Sequence, residues 1–137
     1  MTKTGPAKKT DDTFTGGRLA NARAFLQSAR DAMELAGPGT NGNPISTLAV
    51  NAAIAYTDAL TSKFKGKANQ QDHSAAVTLL RDALGNRLPQ KQLNQLSTIL
   101  GVKDEVEYGP RIGRMDEARR IMEALESFSA WAEEALR

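Results

Sequence analysis

The chain has 137 residues, which is enough for one domain with a buried core and too few for two domains of ordinary size. It contains no cysteine, which excludes disulfides and thiolate metal sites, and it has no apolar run near the roughly eighteen residues of a membrane span, so we predict a cytoplasmic protein. A net charge of +2 predicts nucleic-acid binding only if the basic residues are clustered.

The first segment, residues 1–13, is rich in lysine, threonine and aspartate and almost free of apolar side chains. Such a segment has little apolar surface to bury and therefore cannot offset the entropy of ordering. The sequence predicts a flexible basic tail here, followed by a single helical domain over residues 14–137.

The rest of the chain shows apolar residues at steps of three and four, the period of an amphipathic helix. Glycine or proline interrupts this period between successive segments. The predicted helices, the third of them capped by Asp72, are residues 14–36, 45–65, 73–84, 90–101 and 114–137. No segment alternates with a period of two, so we predict no strand. The sequence therefore predicts an all-α fold, an antiparallel bundle of four or five helices.

The inventory of reactive side chains excludes most familiar catalytic sites. His73 is the only histidine, so neither a di-iron site nor a zinc site of Cys and His ligands has enough ligands. No phosphate-binding GxxxxGK[ST] string and no nucleophile elbow around a serine occur. The sequence predicts no metal and no cofactor, and it leaves His73 as a candidate acid or base only if the fold places it in a cleft.

Four segments, read in order, resemble the HEPN family of small helical-bundle domains. They are AVNAAIAYTDALTSKFKGK, QDHSAAVTLL, LSTILGVKDEVEYG and DEARRIMEALESFSAWAEEAL, and they lie within residues 45–136. Each segment is degenerate on its own, and the resemblance lies in their order and spacing. It implies an all-helical bundle that acts as a homodimer.

Many members of that family are metal-independent ribonucleases, often the toxins of toxin–antitoxin pairs, that use an Arg-x(4–6)-His string. The matching positions here are Lys103 and Tyr108. An arginine fork holds a phosphate with paired donors and an imidazole moves protons near neutral pH, whereas an ammonium lacks the fork and a phenol titrates near pH ~10. The resemblance therefore implies a degenerate nuclease site, and ribonuclease activity through Lys103, Tyr108 and His73 remains an alternative.

A basic cluster precedes and enters the last predicted helix. Lys103, Arg111 and Arg114 are candidate phosphate-binding residues, and Arg119 and Arg120 extend the cluster. Ion pairs within the helix, such as Arg119 with Glu123, explain part of it without any ligand.

These observations leave three functions open. The first is a non-catalytic binding or interaction module, such as the inert partner in a defence or toxin–antitoxin system, with RNA or a protein as its ligand. The others are a metal-independent ribonuclease and a structural helical oligomer.

Overall fold

A computed structural model describes residues 7–70 and 73–137 of the chain. Its α-helices are α1 (Asp12–Leu35), α2 (Asn43–Lys65), α3 (His73–Leu84), α4 (Gln90–Gly101), α5 (Lys103–Tyr108) and α6 (Met115–Ala135). Two short strands, β1 (Lys8–Lys9) and β2 (Lys67–Ala68), pair in antiparallel register, and Gly85–Arg87 forms a 3₁₀ turn. The predicted all-α class is confirmed. None of the helices in the described residues combines the length and the hydropathy of a membrane span.

The central element of the bundle is α2, which contacts each of the other five helices. Alanine occupies much of its buried surface, and these short side chains let neighbouring axes approach closely. The buried alanines of α2 are Ala49, Ala52, Ala53, Ala55 and Ala59. Larger side chains from the facing helices, among them Leu96 and Phe128, complete the core and are 0% exposed.

The directions of the helices follow from cross-helix contacts. The start of α1 meets the end of α2, because the hydroxyls of Thr15 and Ser62 lie 2.6 Å apart and Arg18 Nε lies 3.0 Å from Asp58 Oδ2. These two helices are antiparallel, as predicted.

The pair α2 and α6 runs in parallel, which corrects the prediction of an antiparallel bundle. The hydroxyl of Tyr56 donates to Glu133 Oε2 at 2.8 Å, and further along both helices Lys63 Nζ donates to the carbonyl of Leu136 at 2.7 Å. The chain between the two helices, residues 66–114, returns to the end of the bundle where α2 begins. The apolar period and the glycine or proline interruptions are local signals, so they do not predict the direction in which a later helix crosses the bundle.

The starts of α2 and α6 are in backbone contact at Gly42. The Gly42 N–H donates to the carbonyl of Gly113 at 3.1 Å. A Cβ at Gly42 would lie 2.8 Å from the Arg114 carbonyl oxygen and 3.0 Å from Ala118 Cβ. Any side chain at this position would therefore push the two helix starts apart.

The strands correct two further predictions, the absence of strands and the extent of the tail. β1 lies inside the predicted tail and α1 begins at Asp12, while residues 1–6 and the predicted cap Asp72 lie outside the described residues. Backbone and hydroxyl contacts hold this segment: the Thr10 N–H donates to the Gly66 carbonyl at 2.9 Å, and the Thr10 and Ser62 hydroxyls lie 2.5 Å apart. Because these contacts need no apolar side chain, composition did not predict them.

Candidate functional site

The segment between Val102 and Pro110 contains α5, a helix in addition to the five that the sequence predicted. The sequence predicted a connection there. Asp104 and Glu105 lie in its first turn, where the helix dipole favours negative charge. Lys103 and Glu107 form an ion pair at 3.4 Å with the i, i+4 spacing that supports short helices. Packing against α2 and α4 holds these six residues in place.

Lys103 and Tyr108, the two α5 residues at the positions of the nuclease string, interact with each other. Lys103 Nζ lies 5.5 Å from the centre of the Tyr108 ring and is paired with Glu107. Tyr108 is 76% exposed and borders an open groove beside the first turns of α2. The ammonium is therefore already neutralised by a carboxylate.

His73 is the first residue of α3, which packs on α2 and α4. Its side chain lies outside the described part of the molecule. Whether it joins Lys103 and Tyr108 stays a prediction.

A pocket of about 270 Å³ lies where α2 and α6 begin, under α5 and the end of α4. We call it the α2–α6 pocket. Its polar and charged lining residues are Asn43, Ser46, Thr98, Glu105, Arg111, Arg114, Glu117 and Arg120. The fold thus brings Arg111 and Arg114, two of the three predicted phosphate-binding residues, to one cavity, while Lys103 is not part of its lining.

Both predicted arginines of this pocket already hold carboxylates. Arg111 Nη1 lies 3.0 Å from Glu117 Oε1, and Arg114 contacts both oxygens of Asp116, at 3.1 and 2.8 Å. The guanidinium of Arg111 lowers the pKa of Glu117, and that of Arg114 lowers the pKa of Asp116. These pairs fix the entry to α6, since the Arg114 N–H also donates to Glu117 at 3.3 Å.

The sequence did not indicate Ser46 or Asn43, and it placed Arg120 in the basic cluster as a possible contact to RNA phosphates or a partner of Glu123. Asn43 donates from Nδ2 to the Arg111 carbonyl at 2.8 Å and so ties α2 to the segment before α6. Ser46 is only 4% exposed, and its hydroxyl has no hydrogen-bond partner among the residues the structure describes. A buried hydroxyl without a partner costs about 1–3 kcal/mol. The position of Ser46 one turn after Gly42 was the only sequence signal for it.

Arg120 is exposed at the rim of the pocket, next to Arg119 on α6. Neither arginine has a carboxylate within ion-pairing distance in residues 7–70 and 73–137, so the alternative of an Arg119–Glu123 pair is not observed.

A second polar cluster crosses α1, α2 and α6 near the middle of the bundle. Arg23 contacts both oxygens of Glu133, at 2.8 and 2.7 Å, and Arg30 contacts both oxygens of Glu126. Burial raises the pKa of Tyr56, whose hydroxyl also donates to Glu133, and Arg23 lowers the pKa of Glu133. Every acid of this cluster has a basic or phenolic partner, which is the arrangement of a structural brace between helices.

No metal centre is formed by the described residues, since no group of three or more His, Cys, Asp or Glu side chains among them is arranged to hold an ion.

The chain matches no protein-family model, and no curated protein matches its sequence. The α2–α6 pocket and the exposed face of α5 are therefore the features on which a function has to be argued.

Proposed function

We propose that the protein is a non-catalytic binding module whose binding site is the α2–α6 pocket. The observation that supports it is the pocket's lining: three guanidinium groups and two carboxylates, with no imidazole, thiol or phenol among them. Such a lining recognises charge, and it does not contain the imidazole that most often serves as a general acid or base.

The resemblance to HEPN domains remains part of this proposal. A helical bundle with Lys103 and Tyr108 at the string positions suits an inert member of that class, one that contacts RNA or a protein partner in a defence or toxin–antitoxin system. The absence of cysteine supports a cytoplasmic setting. Ribonuclease activity is disfavoured because Lys103 is paired with Glu107, which competes with a phosphate for the ammonium.

The first test is cleavage of total RNA by the purified protein in the presence of a chelator. We expect no cleavage above a buffer control, because the paired lysine and the exposed phenol supply neither a phosphate fork nor a neutral-pH proton relay. Gel electrophoresis of the RNA over time gives the readout. Cleavage that disappears in both Lys103→Ala and Tyr108→Phe would show that the protein is an enzyme, and the proposal would fail.

A second candidate function, a helical oligomer subunit, is favoured by the exposed apolar side chains. In the part of the chain that the structure describes, the large apolar side chains most exposed to solvent are Leu35 at 88%, Tyr108 at 76% and Ile112 at 70%. Tyr108 and Ile112 flank the same turn between α5 and α6, which makes that turn a candidate contact between two copies of the chain.

Light scattering coupled to size-exclusion chromatography measures the oligomeric state of the protein. We expect a homodimer that dissociates at least about tenfold more readily in the double variant Tyr108→Ser, Ile112→Ser, since two aromatic or aliphatic contacts supply most of a small interface's energy. Leu35→Ser removes an even more exposed apolar side chain from the end of α1 and is the matched control. A wild-type monomer at all concentrations, or equal dissociation of the control, would exclude the turn as the dimer contact.

A further inference from the structure

The α2–α6 pocket lies at the positive ends of two long helices. α2 has 23 residues and α6 has 21, and because they run in parallel their amino-terminal ends meet at the same place. The partial positive charge at the start of each helix adds to that of the other. The pocket therefore favours a negatively charged group before any side chain is considered.

Ser46 is the observation that points to a ligand. Ser46 is only 4% exposed, and it lines the pocket. Its hydroxyl makes no hydrogen bond to any described residue. Buried polar side chains nearly always have a partner. A hydroxyl that faces a cavity without one is available to donate to an acceptor inside that cavity.

Arg120 supplies the matching positive charge. Arg111 and Arg114 line the same pocket, but each already holds a carboxylate of α6. Arg120 has no such carboxylate in the part of the chain that the structure describes, so its guanidinium fork is open to a ligand. An arginine fork binds the paired oxygens of a carboxylate or a phosphate.

The pocket also contains opposing charges. Glu117 is held by Arg111 and by the Arg114 N–H, at 3.0 and 3.3 Å. Glu105, on the α5 wall, forms no ion pair among the described residues and so repels an anion. Glu105 also acts on Arg111, whose pKa is raised mainly by Glu117 and further by the charge of Glu105. Its carboxylate limits the affinity for an anion and gives a variant whose effect has a defined sign.

We propose that the α2–α6 pocket binds the oxyanion of a small ligand, a phosphomonoester or a carboxylate, between the Ser46 hydroxyl and the Arg120 guanidinium. The inference rests on the proposed function, since it names the ligand class of that same site. A cavity of about 270 Å³ suits a small anion or one end of a larger ligand.

The test is a nuclear magnetic resonance titration of the full chain with inorganic phosphate and, separately, with acetate, at constant ionic strength set by chloride. We expect saturable shifts of the Ser46 amide and the Arg120 side-chain Nε–H. Saturation by phosphate alone assigns a phosphomonoester, and saturation by acetate alone assigns a carboxylate; either supports the proposal.

The variants divide the site into its parts. Arg120→Gln should weaken binding about tenfold or more, and Ser46→Ala about threefold to tenfold, because each removes one donor to the anion. Arg119→Gln is the matched control: it removes an adjacent exposed arginine that also lacks an ion pair but does not line the pocket, and it should change affinity by less than about twofold. Retained spectral dispersion shows that each variant is folded.

Glu105→Gln tests whether the affinity for the anion changes in the expected direction. Removing this carboxylate should tighten binding of the saturating anion about threefold, because a like charge is lost from the pocket wall. The inference is overturned by the absence of saturable shifts with either anion, by equal losses in Arg119→Gln and Arg120→Gln, or by weaker binding in Glu105→Gln. None of these outcomes changes the result expected in the RNA assay. RNA cleavage that disappears in both Lys103→Ala and Tyr108→Phe would overturn the proposed function whatever the titration gives.

Discussion

Replacing Tyr56 with alanine is expected to lower the free energy of unfolding by about 3–5 kcal/mol, the range for removing an aromatic ring from a packed core. Tyr56 on α2 is 0% exposed and belongs to the hydrophobic core, which also contains Leu26 of α1 and Phe128 of α6. Urea denaturation followed by circular dichroism measures the change.

The phenylalanine variant separates packing from hydrogen bonding at the same position. Tyr56→Phe keeps the ring and removes only the hydroxyl that donates to Glu133 at 2.8 Å. Glu133 is half-buried and keeps both contacts with Arg23, so the loss should be near 1 kcal/mol. A loss in Tyr56→Ala as small as in Tyr56→Phe would mean that the ring does not lie in a packed core.

The second large effect is a dependence of stability on pH that arises at Asp58. Its carboxylate lies 3.0 Å from Arg18 Nε and is 13% exposed. Burial raises the pKa of Asp58 to about 6, and Arg18 and Lys8 only partly oppose that rise. The folded protein therefore keeps this proton to a higher pH than the unfolded chain, whose carboxyl titrates near 3.8.

The sign follows from the proton balance. Between about pH 4 and pH 6 the folded state binds more protons at Asp58 than the unfolded state, so the free energy of unfolding falls as pH rises. The total fall at this group is about 3 kcal/mol, at roughly 1.4 kcal/mol for each unit of pKa difference. We expect the difference in unfolding free energy between wild type and Asp58→Asn to decrease by that amount from pH 4 to pH 7.

Asp82 gives a control of opposite sign. Lys65 lowers the pKa of Asp82, so the contribution of Asp82 to stability is present above the unfolded pKa and is lost as pH falls. The difference between wild type and Asp82→Asn should therefore increase with pH only below about pH 4, with a smaller amplitude because the pair is exposed to solvent, and should be flat from about pH 5 to about pH 7. A flat curve for Asp58→Asn across this range would refute the burial of the Asp58 charge.

Local signals were enough to locate the long helices. Gly66 has φ of +68°, the left-handed conformation that glycine adopts at a helix end, and the predicted end of the second helix at Lys65 agrees with the structure. Proline and glycine act through the backbone of their own turn, so the sequence alone reveals them.

The pocket was not predictable in the same way. Ser46 and Arg120 are 74 positions apart in the sequence, and they share a cavity only because α2 and α6 start side by side. The two helix starts touch at Gly42, which contacts Gly113 and Arg114. This contact joins residues far apart in the sequence, so no local pattern predicts it. α5 was missed for a different reason: it has no apolar stripe, although the spacing of Lys103 and Glu107 was a signal in its favour.

The parallel course of α2 and α6 has a consequence for synthesis of the protein on the ribosome. When α2 leaves the exit tunnel only α1 precedes it among the helices. The surface that Leu125 and Phe128 of α6 will cover stays bare until about sixty more residues have left the tunnel. At roughly 5–20 residues per second this exposure lasts for seconds, much longer than helices need to form. A nascent chain paused before α6 should therefore be a preferred client of ribosome-associated chaperones.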